Sequence, residues 1–271
     1  MRKITIITVN FNNYSGLQKT WYSVYNQVYN NIEYIVIDGG SSDNSKAFLE
    51  KKEQDANIKF SRYVWISEKD NGIYDGMNKG LYYATGDYCL FLNSGDFFPD
   101  KNVLSKIFES SVISEDLIIG RQKYINQKKH ITKGWKINKD EIDERFLWYN
   151  TLPHQSTFIK TSVLKEINGY DLNYPVCADW VSWHYLLNVK HCSYILIDSF
   201  ISIMEKGGTS SKMDSCHKDM CKFLKLEHPD FSEDDWANLN EMYGYAKLYK
   251  RATASPISRF LTKIAIFINK K

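Results

Sequence analysis

The chain has 271 residues, 43% of them hydrophobic and 15% aromatic, with a formal net charge of +3. This composition excludes a disordered chain, which needs low hydrophobicity and high net charge. The length excludes a mini-protein. A charge of +3 is too mild for a dedicated nucleic-acid binder, whose domain typically has a pI above about 9.

Ile4 to Val9 is β-branched throughout and predicts a buried strand. Leu17, Trp21, Val24, Tyr25 and Val28 recur at helical spacing. A second buried strand runs from Ile32 to Ile37 and ends at Asp38-Gly39-Gly40, and Ser45 to Gln54 reads as a helix. Tyr63 to Ile66 is a third strand, Ile73 to Ala84 a helix, and Tyr88 to Leu92 a fourth strand ending at Asn93-Ser94-Gly95-Asp96. Strands alternating with helices imply right-handed βαβ units and a mostly parallel sheet covered on both faces.

After about residue 115 the alternation breaks down. Leu117 to Ile119, Lys123 to Ile125, Gln155 to Ile159, Tyr194 to Ile197 and Ile201 to Met204 look strand-like, and Asp179 to Val189 helical. From Met213 the pattern is mainly helical. The expected architecture is one continuous α/β domain over 1–212 with a helical extension over 213–271.

Five cysteines stand at 89, 177, 192, 216 and 221, an odd number without framework spacing, so a reducing compartment is expected. The first apolar run stops at Asn10, shorter than a signal-peptide core, and no apolar stretch of about 20 residues exists. We therefore expect a cytoplasmic protein. Cys216, His217, Cys221 and His228 match no usual zinc spacing and read as a helix face.

Polar residues cluster after the strands, at Asn10, Asp38, Asp70 and Asp96. Ligands of open α/β sheets bind outside the carboxyl ends of the strands. No G-x-G-x-x-G, P-loop or G-x-S-x-G pattern occurs, which disfavours dinucleotide oxidoreductases, P-loop NTPases and α/β-hydrolases. Asp38 fits either a ligand carboxylate or an Asx-turn, and Asp43 fits a helix cap. The polar, glycine-rich segment from Glu68 to Gly80 leads into a helix, whose N-terminus attracts anions. Asn78 and Lys79 sit one to two turns in. Asp96 is the one acid of its turn, and Mg²⁺ typically takes one or two carboxylates plus substrate phosphates. Asp179 on its own reads as a helix N-cap.

Together these residues carry a resemblance. Thr5 to Asn12, Val36 to Asp43, Glu68 to Gly80, Ala84 to Tyr88 and Phe91 to Asp96 follow in order. Pro153 to Phe158, Ala178-Asp179-Trp180 and Gly207-Gly208-Thr209-Ser210 come after them. Over roughly 3–210 the chain resembles family 2 glycosyltransferases of the GT-A fold, in particular bacterial colanic-acid, exopolysaccharide and O-antigen enzymes. The resemblance implies a Rossmann-like, mostly parallel sheet flanked by helices, with nucleotide binding over 1–98 and acceptor binding over 99–212.

It also implies roles. Asp38 matches the aspartate that reads uracil and ribose, and Thr8 and Asn10 the first-strand end that cradles the nucleotide. Asp70, Asn78 and Lys79 match the loop and helix completing that pocket, with Asn93, Ser94 and Gly95 beside it. Asp96 falls in the metal-binding D-x-D region, for weakly held Mn²⁺ or Mg²⁺. Asp179 matches the catalytic base, and His154 and Trp180 match positions near the acceptor or donor sugar. This chain departs from the pattern at Asn93 and Gly95, where carboxylates are usual, and has no histidine in the Gly207-Gly208 loop.

The expected function is an inverting hexosyltransferase, moving sugar from a nucleotide sugar, UDP by resemblance, to a lipid-linked bacterial saccharide. A sugar nucleotidyltransferase is a rival, but it wants a glycine- and arginine-rich phosphate loop that Asn10-Phe11-Asn12-Asn13 does not supply. A glycan-binding pseudo-enzyme is the other rival, supported by Asn93 and Gly95.

From Lys247 to Lys271 there are seven basic residues and no acid, so the remainder of the chain is net negative. Ser255-Pro256 reads as an N-cap followed by proline at the first helical position. Ile257, Phe260, Leu261, Ile264, Phe267 and Ile268 then form one apolar stripe, predicting a basic amphipathic helix over 256–269. Such a helix suits an anionic membrane surface, the inner face of the cell membrane here, or packing on its own domain or a second subunit.

Overall fold

The computed structural model describes residues 1–109, 113–125, 131–135, 137, 142, 146–205 and 213–241. Strands β1 (Ile4–Asn10), β2 (Ile32–Asp38), β3 (Arg62–Ser67) and β4 (Tyr88–Phe91) alternate with helices α1 (Tyr14–Tyr25), α2 (Ser45–Lys59) and α3 (Ile73–Tyr83). They form the parallel run β3-β2-β1-β4. Register places Asn10 opposite Asp38 and Asp38 opposite Ser67, so the polar carboxyl ends of three strands lie side by side.

The second half completes one eight-stranded sheet. Its strands are β5 (Leu117–Ile125), β6 (Ile131–Trp135), β7 (Thr157–Lys160) and β8 (Tyr194–Glu205). β7 joins antiparallel to β4, β5 antiparallel to β7, β6 antiparallel to β5, and β8 parallel to β5. Helices α4 (Val103–Phe108), α5 (Phe146–Tyr149), α6 (Thr161–Glu166), α7 (Ala178–His184) and α8 (Met213–Glu227) flank these strands. A 3₁₀ turn spans His154–Ser156, and α7 continues as a π-helix over Tyr185–Val189.

Alternation along the buried strands feeds two cores. Ile7, Val9, Ile35 and Ile37 face one layer with Met77, Leu81, Trp183 and Phe223. Ile6, Tyr34 and Val36 face the other with Leu17, Trp21, Phe48 and Leu104. Helix α3 lies so close to β1 that a Cβ at Gly80 would stand 2.3 Å from Ile7 Cγ2.

Several elements differ from the sequence expectation. β5 and β8 are each one strand rather than two, because their pairing shifts register around Arg121 and polar residues there read as a break. β6 was not predicted, since its five residues, Ile131-Thr132-Lys133-Gly134-Trp135, are too few for an alternation to register. α4, α5 and α6 have six, four and six residues, too few turns for a helical repeat to register. All five cysteines are free thiols. No helix among the described residues is long and apolar enough to cross a membrane. Gly207 to Ser210 and the expected helix over 256–269 lie outside the described residues.

Candidate active site

The site is built on the carboxyl ends of β1, β2 and β4. Asp38 ends β2 wholly buried, and four donors occupy its carboxylate. Asn10 Nδ2 at 2.7 Å and Ser41 Oγ at 2.5 Å donate to Oδ1, while Ser67 Oγ at 2.7 Å and the Ser41 N–H at 3.0 Å donate to Oδ2. A buried carboxylate needs such partners. Asp38 therefore holds the Gly39-to-Ser42 turn in shape, with both carboxylate oxygens engaged within the protein. Asp43 stands one residue before the Asn44 cap of α2, and its carboxylate accepts the first N–H of α2, from Ser45 at 2.9 Å, and the first N–H of α1, from Tyr14 at 2.9 Å.

Thr8 and Asn10 are also beneath the surface rather than lining it. The Thr8 hydroxyl donates to the Leu92 carbonyl at 2.8 Å, and Asn10 Nδ2 donates to Ser45 Oγ at 2.9 Å. The side chain that does project from this strand end is Phe11, 63% exposed. Sequence reasoning passed over it, although an apolar residue inside the turn Asn10-Phe11-Asn12 was its signal.

The loop before α3 packs against the Asp38 turn. A Cβ at Gly39 would stand 2.5 Å from Asp70 Oδ2, so a side chain there would push the Asp70 carboxylate aside. Asp70 Oδ1 accepts from the Gly72 N–H at 3.1 Å. Two neighbours have their polar groups engaged within the protein. Asn78 brackets residue 170, donating to the Tyr170 carbonyl and accepting from its N–H, both at 2.8 Å. Lys79 Nζ is tied to Glu68 Oε1 at 2.9 Å and the Lys69 carbonyl at 3.0 Å, and the Glu68 bond raises its pKa.

The Asn93–Asp96 turn is fastened to α1. The Gly95 N–H donates to Thr20 Oγ1 at 3.0 Å, and Thr20 donates to the Asp96 carbonyl at 2.6 Å. Gly95 has φ 105, a conformation that favours glycine. Asn13 Nδ2 donates to the Ser94 carbonyl at 3.0 Å, and the Asn93 side chain is buried. Asp96 is 7% exposed, and burial pushes its pKa up to about 7, against the opposing pull of His154, the Glu205 N–H and Gln155. Glu205 brings a second carboxylate nearby, since its Oε2 would lie 3.8 Å from a Cβ at Gly95 and sits 3.6 Å from Lys19 Nζ.

Asp179 is the second residue of α7 rather than its cap, a position taken by Cys177. Tyr74 Oη donates to Asp179 Oδ1 at 2.7 Å, and His154 Nδ1 lies 3.0 Å from Oδ2. Burial alone would raise the pKa of this carboxyl. The hydrogen bond and charge of His154, with the Tyr74 hydroxyl and the Trp180 N–H, outweigh burial and hold it below its ordinary value. Asp179 thus stands ionised, 17% exposed.

The expected acceptor contacts fall elsewhere. Trp180 is 2% exposed and donates from Nε1 to the Leu147 carbonyl at 2.7 Å, packed on His184 and Phe223, so it is a core residue. His154 is 14% exposed, with its Nε2 fully covered, so it serves Asp179 rather than an acceptor. Tyr74, Gln155 and Glu205 were not anticipated, and they reach the site through contacts between residues far apart in sequence. Among the described residues no group of three or more His, Cys, Asp or Glu side chains is arranged to hold a metal ion.

Comparisons with known proteins bear on the family and the fold. An uncharacterized glycosyltransferase of Mycobacterium tuberculosis is 32% identical over 191 residues, and the match spans 65% of this chain and 65% of that relative's length. A PGL/p-HBAD biosynthesis glycosyltransferase of Mycobacterium bovis is 29% identical over 160 residues, 58% of this chain and 59% of that one. Residues 1–349 of S. aureus TarS, solved with UDP-GlcNAc, match with a TM-score of 0.62 at 16% identity over 89% of this chain and 70% of that chain. The mannosyltransferase PcManGT of Pyrobaculum calidifontis, solved with GDP-Man and Mn²⁺, matches with a TM-score of 0.63 at 14% identity over 100% of this chain and 81% of that one. At such identities the likeness speaks for the fold, the GT-A arrangement of a sheet flanked by helices. The sequence signature described as glycosyl transferase family 2 matches residues 5–167, more than half of the chain, and the chain belongs to that family.

Proposed function

We propose that the protein is an inverting glycosyltransferase that moves a hexose from a nucleotide sugar to a hydroxyl of a lipid-linked bacterial polysaccharide intermediate. The observation that carries this reading is an ionised, two-sidedly held carboxylate, Asp179, joined through Tyr74 to the helix that follows the Asp70 loop and through the His154–Gln155 turn to Asp96. UDP is the nucleotide favoured by the family resemblance, and S. aureus TarS was solved with UDP-GlcNAc. Residues 1–98 supply the donor side, 99–212 the acceptor side, and 213–271 the extension.

In this reading the acceptor oxygen attacks the anomeric carbon opposite the leaving group. The bond from that carbon to the diphosphate breaks, and the nucleoside diphosphate departs with the electron pair. The acceptor proton passes to Asp179, a general-base contribution of about 10²–10⁴-fold. One displacement inverts the anomeric centre. NMR of the product is expected to show the anomer opposite to that of the donor, and retention would contradict a single displacement.

A divalent cation fits the residues present. Asp96 is a buried carboxylate with a second acid, Glu205, close by, an all-oxygen set suited to Mg²⁺ or Mn²⁺ when donor phosphates complete it. When bound, such an ion neutralises charge on the departing diphosphate. Thr20, Gln155 and the Glu205 N–H hold Asp96 and its turn in position. The pseudo-enzyme alternative rests on Asn93 and Gly95 standing where carboxylates are usual. Release of nucleoside diphosphate from a UDP-sugar, with and without Mn²⁺, separates the two readings.

We further propose that the protein works at the cytoplasmic face of the membrane, held there by its basic, apolar-striped C-terminal segment. Deleting residues 252–271 is expected to abolish co-sedimentation with vesicles containing anionic lipid. Unchanged sedimentation would reject the membrane role in favour of packing within the protein or between subunits.

A further inference from the structure

Asp179 is gripped from two sides by residues distant in the chain. Tyr74 comes from the second position of α3, directly after the Asp70-Asn71-Gly72 loop. His154 comes from the turn preceding β7, in the other half of the sheet. The two donors divide the carboxylate between them, Tyr74 Oη on Oδ1 at 2.7 Å and His154 Nδ1 on Oδ2 at 3.0 Å. Tyr74 also touches the Val176 carbonyl at 3.2 Å, and its ring packs on Tyr170 at 5.4 Å, so its own position is fixed. His154 Nε2 is buried without a hydrogen-bond partner, which leaves Nδ1 as the nitrogen that engages a partner.

A carboxylate has rotational freedom that a general base must lose, because proton transfer needs hydrogen-bond geometry to the reacting group. Two opposed donors remove that freedom, much as a carboxylate orients the histidine of a catalytic triad, here with the roles exchanged. We propose that Tyr74 and His154 are positioning residues that set the Asp179 carboxylate for proton acceptance, and that Tyr74 ties this setting to the donor-side loop at residues 70–72. The proposal rests on Asp179 being the base.

The test is a double-mutant cycle on nucleoside diphosphate release from UDP-glucose, UDP-galactose, UDP-GlcNAc and GDP-mannose, with Mn²⁺ and water as acceptor. Tyr74→Phe and His154→Ala are each expected to lower kcat about 10-fold or more, with the donor KM changed by less than about 2-fold. His154→Asn, whose amide stands in for Nδ1–H, is expected to recover most of the loss. In an Asp179→Asn background neither substitution is expected to cost more than about 2-fold, because the group they position is already disabled.

Equal losses in both backgrounds, unchanged kcat, or a loss confined to KM would overturn the positioning role. Full turnover by Asp179→Asn would instead overturn the base assignment, and no release by the wild-type protein from any of the four donors would overturn the transferase reading. A readout independent of turnover is the ¹⁵N NMR spectrum of His154. It is expected to show an Nδ1–H hydrogen bond that disappears in Asp179→Ala, and an Nδ1 signal insensitive to that substitution would contradict the contact.

Discussion

Asp179→Asn is expected to lower nucleotide-sugar turnover by about 10²–10⁴-fold while leaving nucleotide affinity unchanged. The substitution removes one oxygen and keeps the volume, so α7 has no packing reason to move. What changes is proton chemistry. The native carboxyl is held ionised by His154 and Tyr74 despite its burial, whereas an amide accepts no proton at any working pH. The amide also turns an N–H₂ towards either Tyr74 or His154, both of which donate to the native carboxylate, so one of those bonds is lost. Nucleotide affinity is spared because the Asp70 loop and the Asp96 turn lie on other elements. Calorimetry with UDP beside a turnover assay measures both quantities, and a parallel fall in affinity would assign Asp179 to nucleotide binding instead of proton transfer.

Asp96→Asn is expected to stabilise the free protein at pH 8 while removing most of its transferase activity. Burial raises the native pKa of Asp96 to about 7, whereas an unfolded aspartate titrates near about 3.9. The native state therefore holds the proton that the unfolded state releases between those values. The resulting stability is fully present below about pH 4 and is lost as pH rises through about 7, on the order of a few kcal/mol in total. Asparagine carries no charge and escapes that loss. The melting temperature of Asp96→Asn is expected to exceed that of the wild type by roughly 5–10 °C at pH 8, with the difference vanishing towards pH 4. Activity falls because the variant has lost the one carboxylate in the turn able to meet a cation and the donor diphosphate. A melting difference that does not depend on pH would show that Asp96 is already ionised and solvated in the native state. Stability withheld until a ligand arrives is a familiar cost of charged sites.

The parallel half of the fold was legible because β1, β2 and β4 are buried on both faces and read as unbroken hydrophobic runs. The strand-end polar residues were legible for the same reason, since Asn10 and Asp38 interrupt those runs at matching register. What remained hidden was the destination of each polar atom. A sequence shows that Asp38 is a carboxylate at a strand end, not that Asn10, Ser41 and Ser67 already occupy it. It shows Asn78 and Lys79 in a polar segment, not that one brackets Tyr170 and the other pairs with Glu68. Trp180 matches a position near the acceptor or donor sugar, yet the first turn of α7 points its indole into the core. The Tyr74–Asp179 contact joins residues 105 positions apart, a separation no local pattern spans. Family order located Asp179 and His154 individually, and the structure brought them together.

The proposed function requires that residues at the carboxyl ends of β1 to β4 bind a nucleotide sugar. Isothermal titration of the wild-type protein with UDP-glucose, UDP-galactose, UDP-GlcNAc and GDP-mannose in the presence of Mn²⁺ tests it most directly. The expected result is saturable one-to-one binding of at least one donor, retained in Asp179→Asn and weakened in Asp96→Asn. Absence of binding by every donor, or binding indifferent to Asp96, would contradict the proposed function.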